Sequence, residues 1–178
     1  MNDAGNDLKR EIEAFRDGRA TLDQLRDLAA GIGRQHWLTE APILVELLQN
    51  GDEIVRYNAI MSLGFELKLH VVTDSLIKMV EEDPDGDCRD AAAGALGVMW
   101  RSSKDHRIIE QLSKVALEDS DEDVRKAAYF ALIVVNGISD EEYLEMLRHK
   151  RAEVNWDKVA AIRAEIAGQI RGEPSSRI

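Results

Sequence analysis

The sequence predicts an all-α protein built from helix pairs stacked side by side, about ten helices in all, and three observations predict it. The first is a short phrase that occurs three times: Asn50-Gly51-Asp52-Glu53-Ile54-Val55-Arg56, Asp83-Pro84-Asp85-Gly86-Asp87-Cys88-Arg89 and Asp119-Ser120-Asp121-Glu122-Asp123-Val124-Arg125. The second is the run that follows each copy: Ala59 and Leu63, Ala92 and Leu96, Ala128 and Leu132. Repeats spaced 33 and then 36 residues apart are supersecondary units that bury their apolar faces on one another. The third is composition, with aromatics at 5 %, only 3 prolines, and Ala, Leu, Glu, Asp and Arg in excess, which favours helix.

Taken in order, residues 4–17 carry Leu8, Ile12 and Phe15 at helical spacing, and Gly18 closes the helix. Thr21-Leu22-Asp23-Gln24 is a capping-box start for a second helix, with Leu22, Leu25, Leu28 and Ala29 on its apolar face. Together they form an N-terminal helical cap over residues 1–38. Thr39 is a suitable N-cap for the next helix, with Pro42 in its first turn. The repeats then span 39–69, 70–106 and 107–137, with a degenerate fourth over 138–169. Their first helices carry the stripes Ile43, Leu44, Leu47 and Leu48; Leu76, Ile77, Met79 and Val80; and Ile108, Ile109, Leu112, Val115 and Ala116. Ser139-Asp140-Glu141-Glu142 is another capping box, followed by Tyr143, Leu144 and Leu147, and then by Val159, Ile162 and Ile166. Residues 170–178 have linker composition and are expected to be a flexible tail.

The phrase Asp-x4-hydrophobe-Arg followed by x2-Ala-x3-Leu resembles the HEAT-repeat family, especially its short repeats of the phycobilin-lyase type. The resemblance is good over residues 39–137 and weak over 138–169. It implies a right-handed α-α superhelix, a HEAT-like or armadillo-type solenoid. It also implies a hydrogen-bonded ladder between neighbouring turns. By position the acidic role falls on Asp83 and Asp119 and the arginine role on Arg56, Arg89 and Arg125. Asn50 replaces the first Asp, so the first rung should be weaker for want of charge assistance. A guanidinium suits the role because its fork of donors can bridge two turns.

Rotation of about 100° per residue sorts each second helix into faces. The face away from the partner helix carries Tyr57, Met61, Gly64 and Lys68; Asp90, Gly94, Gly97 and Arg101; and Lys126, Phe130 and Ile133, with Ile60, Trp100 and Tyr129 at its edge. The resemblance implies that these faces line a concave groove. The expected partner-binding residues are Tyr57, Met61, Asp90, Trp100, Arg101, Lys126, Tyr129, Phe130 and Ile133, around a notch at the small residues of the middle repeat. The turns form an acidic edge of Glu81, Glu82, Asp85, Asp87, Asp121, Glu122 and Asp123. Such carboxylates either favour helix N-termini or capture a basic partner.

A formal net charge of −11 argues against nucleic acid and anionic membrane as ligands and is compatible with a basic protein partner. No stretch is apolar enough to span a bilayer and no apolar signal core follows Met1, so a cytoplasmic location is expected. The single cysteine, Cys88, stands where the sister copies have Val55 and Val124 and reads as a small buried hydrophobe. His36, His70, His106 and His149 show no metal-ligand spacing, and the residues after them exclude the His-Glu pairs of the HEAT-repeat hydroxylase. No phosphate loop or nucleophile motif is present. No cofactor, metal or catalytic residue is expected. The expected activity is that of a monomeric, non-enzymatic scaffold that binds a protein segment. The alternatives are an immunity- or antitoxin-like inhibitor of a basic toxin or nuclease, and a bilin-lyase-like or chaperone-like binder of a small cofactor.

Overall fold

Several helices begin where the sequence supplies a short oxygen-bearing side chain. Asp52, Asp85 and Asp121 each accept from the backbone N–H three residues on, at 3.1, 3.0 and 3.4 Å, and so start the second helix of each of the first three repeats. Thr21 and Gln24 form both halves of the anticipated capping box. Ser139 and Glu142 do the same, and these hydrogen bonds hold the Glu142 carboxyl below the usual carboxylate range. Thr39 does not cap. It lies within a 3-10 turn, Leu38–Glu40, that leads straight into the next helix with Pro42 in its first turn.

The computed structural model describes residues 3–148 and 154–170. Among them are ten α-helices: α1 (Asp3–Arg16), α2 (Leu22–Arg34), α3 (Ala41–Leu47), α4 (Glu53–Ile60), α5 (Thr73–Glu82), α6 (Gly86–Met99), α7 (His106–Glu118), α8 (Glu122–Asn136), α9 (Asp140–Arg148) and α10 (Trp156–Ile170). No strand occurs among the described residues, and the chain is an all-α solenoid. Ile170 closes α10, and the remainder of the expected tail lies outside the described residues. The chain divides into two compact units, Met1–Leu76 and Ile77–Ile178.

In the first unit, α2 packs against α1, α3 and α4. Leu28, Ile32, Leu44, Leu48, Val55, Ala59, Ile60 and Leu63 are fully or almost fully buried there. Two polar bonds tie α2 to α4 and to the turn that continues it: Asn58 donates to the Arg26 carbonyl at 3.1 Å, and the Ser62 hydroxyl to the Ala29 carbonyl at 2.6 Å. After Ile60 the helix continues as a π-helical turn, Met61–Glu66, in which the Leu67 N–H reaches the Ser62 carbonyl five residues back. That turn breaks the 100° rule, which is why Gly64, assigned to the outer face by periodicity, is buried.

In the second unit α8 packs against both α6 and α7, and α10 packs along α7. α10 runs antiparallel to α7, with Arg163 at Glu118 and Ile166 and Ala167 beside Ile109. The α6–α8 approach is close. A Cβ added at Gly97 would stand 3.0 Å from both Cα and Cβ of Ala131. The anticipated bare notch therefore does not include Gly97, because α8 fills the space its missing side chain leaves.

Candidate functional site

Each repeat arginine turns back onto the acidic turn that precedes its own helix. Arg56, Arg89 and Arg125 donate to the carbonyls of Asn50, Asp83 and Asp119 at 2.9, 3.0 and 2.8 Å. The side chains of those turn residues accept from the N–H two residues on, at 2.9, 3.0 and 2.8 Å. Arg89 also spans to the next turn, with Nε and Nη2 on the two Asp119 oxygens at 2.9 and 3.0 Å. This is the bidentate fork that the arginine chemistry called for. The Asp119 environment opposes ionisation by burial, but Arg89, the Asp121 N–H and Arg125 together hold its carboxyl below the usual range.

A second bidentate rung was not anticipated. Arg26 on α2 grips Asp52 through Nε and Nη2 at 3.0 and 2.6 Å, which holds the Asp52 carboxyl low. Its signal in the sequence is Leu25-Arg26-x2-Ala29, which copies the hydrophobe-Arg-x2-Ala phrase of the later helices. No acidic turn precedes it, so the full repeat phrase does not mark it. Because Asn50 carries no charge, Arg26 takes the N-cap aspartate in its place.

Tyr57 and Met61 belong to the first unit, where Tyr57 is exposed and Met61 half-buried. The other expected partner-binding residues belong to the second unit. Asp90 and Arg101 are exposed there, while Trp100, Lys126 and Phe130 are half-buried. Tyr129 and Ile133 are only 8 % and 7 % exposed and serve packing as they stand. The Tyr129 ring lies edge-on to Phe130 with centroids 5.3 Å apart, and to Trp156 at 6.2 Å. Trp156 was not singled out from the sequence because it opens a different helix. Arg101 is ion-paired to Asp140 and sits 4.2 Å above the Tyr143 ring, so its charge is engaged within the chain.

Most of the acidic edge has a local duty. Glu81 pairs with Lys114, Glu82 with Lys78, and Glu122 and Asp123 with Lys126. Asp85 and Asp121 are the helix caps already described. Asp87 and Asp90 have no ion-pair partner among the described residues. Although the residue is exposed as a whole, partial shielding of its carboxyl by neighbouring atoms, and then the charges of Asp87, Asp123 and Asp121, push the Asp90 carboxyl above the usual carboxylate range. These duties separate by mutation. Asp85→Ala should cost about 1 kcal/mol through its lost cap, whereas Asp87→Ala should change stability by no more than about 0.5 kcal/mol. Urea denaturation followed by circular dichroism measures both, and equal losses would contradict the assignment.

Among the described residues, no group of three or more His, Cys, Asp and Glu could hold a metal ion. Cys88 is fully buried. The first unit has an open recess of about 360 Å³ lined by Lys9, Ile12, Glu13, Arg16, Trp37, Thr39 and Glu40, partly closed by the Arg16–Glu40 ion pair at 2.6 Å. No helix among the described residues is long and apolar enough to cross a membrane.

The HEAT-repeat family model matches residues 25–97 and 73–167, which together are well over half of the 178 residues. The chain belongs to the HEAT-repeat family. Repeats of this family typically serve as protein-interaction scaffolds and are typically non-enzymatic. The matched span begins at Leu25, so it takes in α2 with its Arg26 rung. No curated protein matches the chain.

Proposed function

We propose that the chain is a non-enzymatic scaffold that binds a basic protein segment through the outward faces of its second helices. The observation that carries this reading is Asp90, an exposed carboxylate on the outward face of α6 with no ion-pair partner among the described residues. Its neighbours are Asp87, Asp121 and Asp123, no cation of the described chain answers it, and Lys126 holds the same position in the next repeat. Tyr57 and Phe130 offer apolar surface on the same class of helix face.

The test is affinity capture from the native source by the wild-type chain and by a Tyr57→Ala/Phe130→Ala double variant, read by mass spectrometry. A partner retained by the first and lost by the second is expected, with the thermal melts of both alike. If the folded double variant retains the same partner, the outward faces are not the binding surface. Within the same class, an inhibitor of a basic toxin or nuclease is favoured by the excess of 34 acidic over 23 basic residues. Protection of cells on co-expression with a toxin encoded nearby tests that narrower reading.

A further inference from the structure

The outward row of α8 runs Asp123, Lys126, Ala127, Phe130, and each of these residues is exposed or half-buried. Phe130 is backed by the buried Tyr129, whose ring also meets Trp156 on α10, so the aromatic surface is braced from behind. Trp156 itself is 38 % exposed and widens the apolar patch. The corresponding row of α6 is Asp87, Asp90, Ala91, Gly94 and Val98, with Gly94 and Val98 half-buried. Nothing on that row is bulky enough to wall off Phe130.

The charges at the start of these two helices select the occupant. Lys126 is the cation there and already serves Glu122 at 2.7 Å and Asp123 at 3.5 Å. Arg89 is committed to Asp119, and Arg125 donates to the Asp119 carbonyl. Asp87 and Asp90 have no counterion among the described residues. Nucleic acid, an anionic bilayer and a second copy of a chain with net charge −11 would all be repelled. A cationic protein segment would be attracted, and its stem could lie over the apolar surface.

The spacing is fixed by helix geometry. Asp123 and Phe130 are seven residues apart, which is a rise of about 10 Å and a return to within about 20° of the same face. A ligand helix reproduces that separation with residues one heptad apart. We infer that the α6–α8 face of the second unit docks a helical protein segment bearing a Lys or Arg seven residues from a bulky apolar side chain. The cation sits against the unpaired Asp87 and Asp90, beside Asp123 with its Lys126 partner, and the apolar group sits on Phe130. This rests on the protein-interaction reading above and adds the chemical pattern of the partner.

The experiment uses the full chain and three fluorescein-labelled, alanine-based helical peptides, titrated by fluorescence anisotropy. The first carries an arginine pair one heptad from a tryptophan. The second has the same composition with the arginines moved to the opposite face, and the third replaces arginine by glutamate. The first should bind at least about tenfold more tightly than the other two. Phe130→Ala should erase most of that difference, and Asp90→Asn combined with Asp123→Asn should erase it and flatten the salt dependence. Equal affinity for the first two peptides would overturn the inference, because net charge alone would then explain binding. So would a folded Phe130→Ala variant that keeps the full preference. Failure here with a partner still captured through Tyr57 and Phe130 removes the heptad pattern alone. Retention of the captured partner by the double variant removes the broader reading.

Discussion

Replacing Arg89 by alanine should destabilise the second unit by about 2–3 kcal/mol, somewhat below the loss of about 3–5 kcal/mol when one member of a fully buried pair is removed. The pair is well shielded, with side chains 13 % and 9 % exposed, and the geometry is bidentate. Removing the guanidinium leaves the Asp119 carboxylate without its strongest donors and the Asp83 carbonyl without its Arg89 bond. Arg89→Lys should recover only part of the loss, since an ammonium cannot hold both oxygens and the carbonyl in that geometry. Urea denaturation at neutral pH measures the series. A loss under about 0.5 kcal/mol for Arg89→Ala would mean that the rung contributes no more than an ordinary surface pair. The pH dependence supplies a second check. Asp119 is depressed in the fold, so its contribution is fully present above the unfolded carboxylate range. It is lost as pH falls through the lower folded value. Wild type should lose stability below about pH 4 more steeply than Asp119→Asn does.

The second large effect belongs to Gly33. A Cβ there would stand 2.6 Å from the Ser62 Cβ and 2.8 Å from the Ser62 Cα, so the obstruction includes backbone. The Ser62 side chain cannot swing away without breaking its bond to the Ala29 carbonyl. Gly33→Ala should therefore cost about 2–3 kcal/mol by pushing α2 off the helix it packs against. This more than reverses the roughly 1 kcal/mol that Gly→Ala ordinarily gains inside a helix. Combining it with Ser62→Gly should restore part of the loss but not all, because the added methyl still meets the backbone of residue 62. A double-mutant cycle measures the coupling. Additive losses in that cycle would show that the two helices are able to separate at this point.

The helices, their order and most of their caps were legible because they are local consequences of the chain. An aspartate or serine three residues ahead of an N–H caps it wherever the helix lies, as Asp85, Asp121 and Ser139 do. The failures have local causes too. Thr39 was absorbed by a 3-10 turn, and the π turn at Met61–Glu66 shifted the register that had placed Gly64 outside. The candidate surface was less legible, because sorting by rotation treats each helix as an isolated cylinder. Tyr129 lies against Trp156 and Gly97 against Ala131, approaches made by other helices that periodicity within one helix does not see. Arg26 was illegible for a different reason. The acidic turn is what makes the repeat phrase recognisable, and the first copy of the arginine phrase lacks one.

Each repeat turn has two sites for an acidic residue, such as Asp83 with Asp85 and Asp119 with Asp121, and the Arg89 and Arg26 rungs use different ones. Arg89 takes the first site of its neighbour, while Arg26, facing an asparagine at Asn50, takes the second at Asp52. Such redundancy buffers the scaffold against mutation. A turn without the first carboxylate can still give the preceding arginine an anion within reach, as Asp52 does for Arg26 beside Asn50. Replacing one carboxylate of a turn should therefore cost the rung less than replacing both.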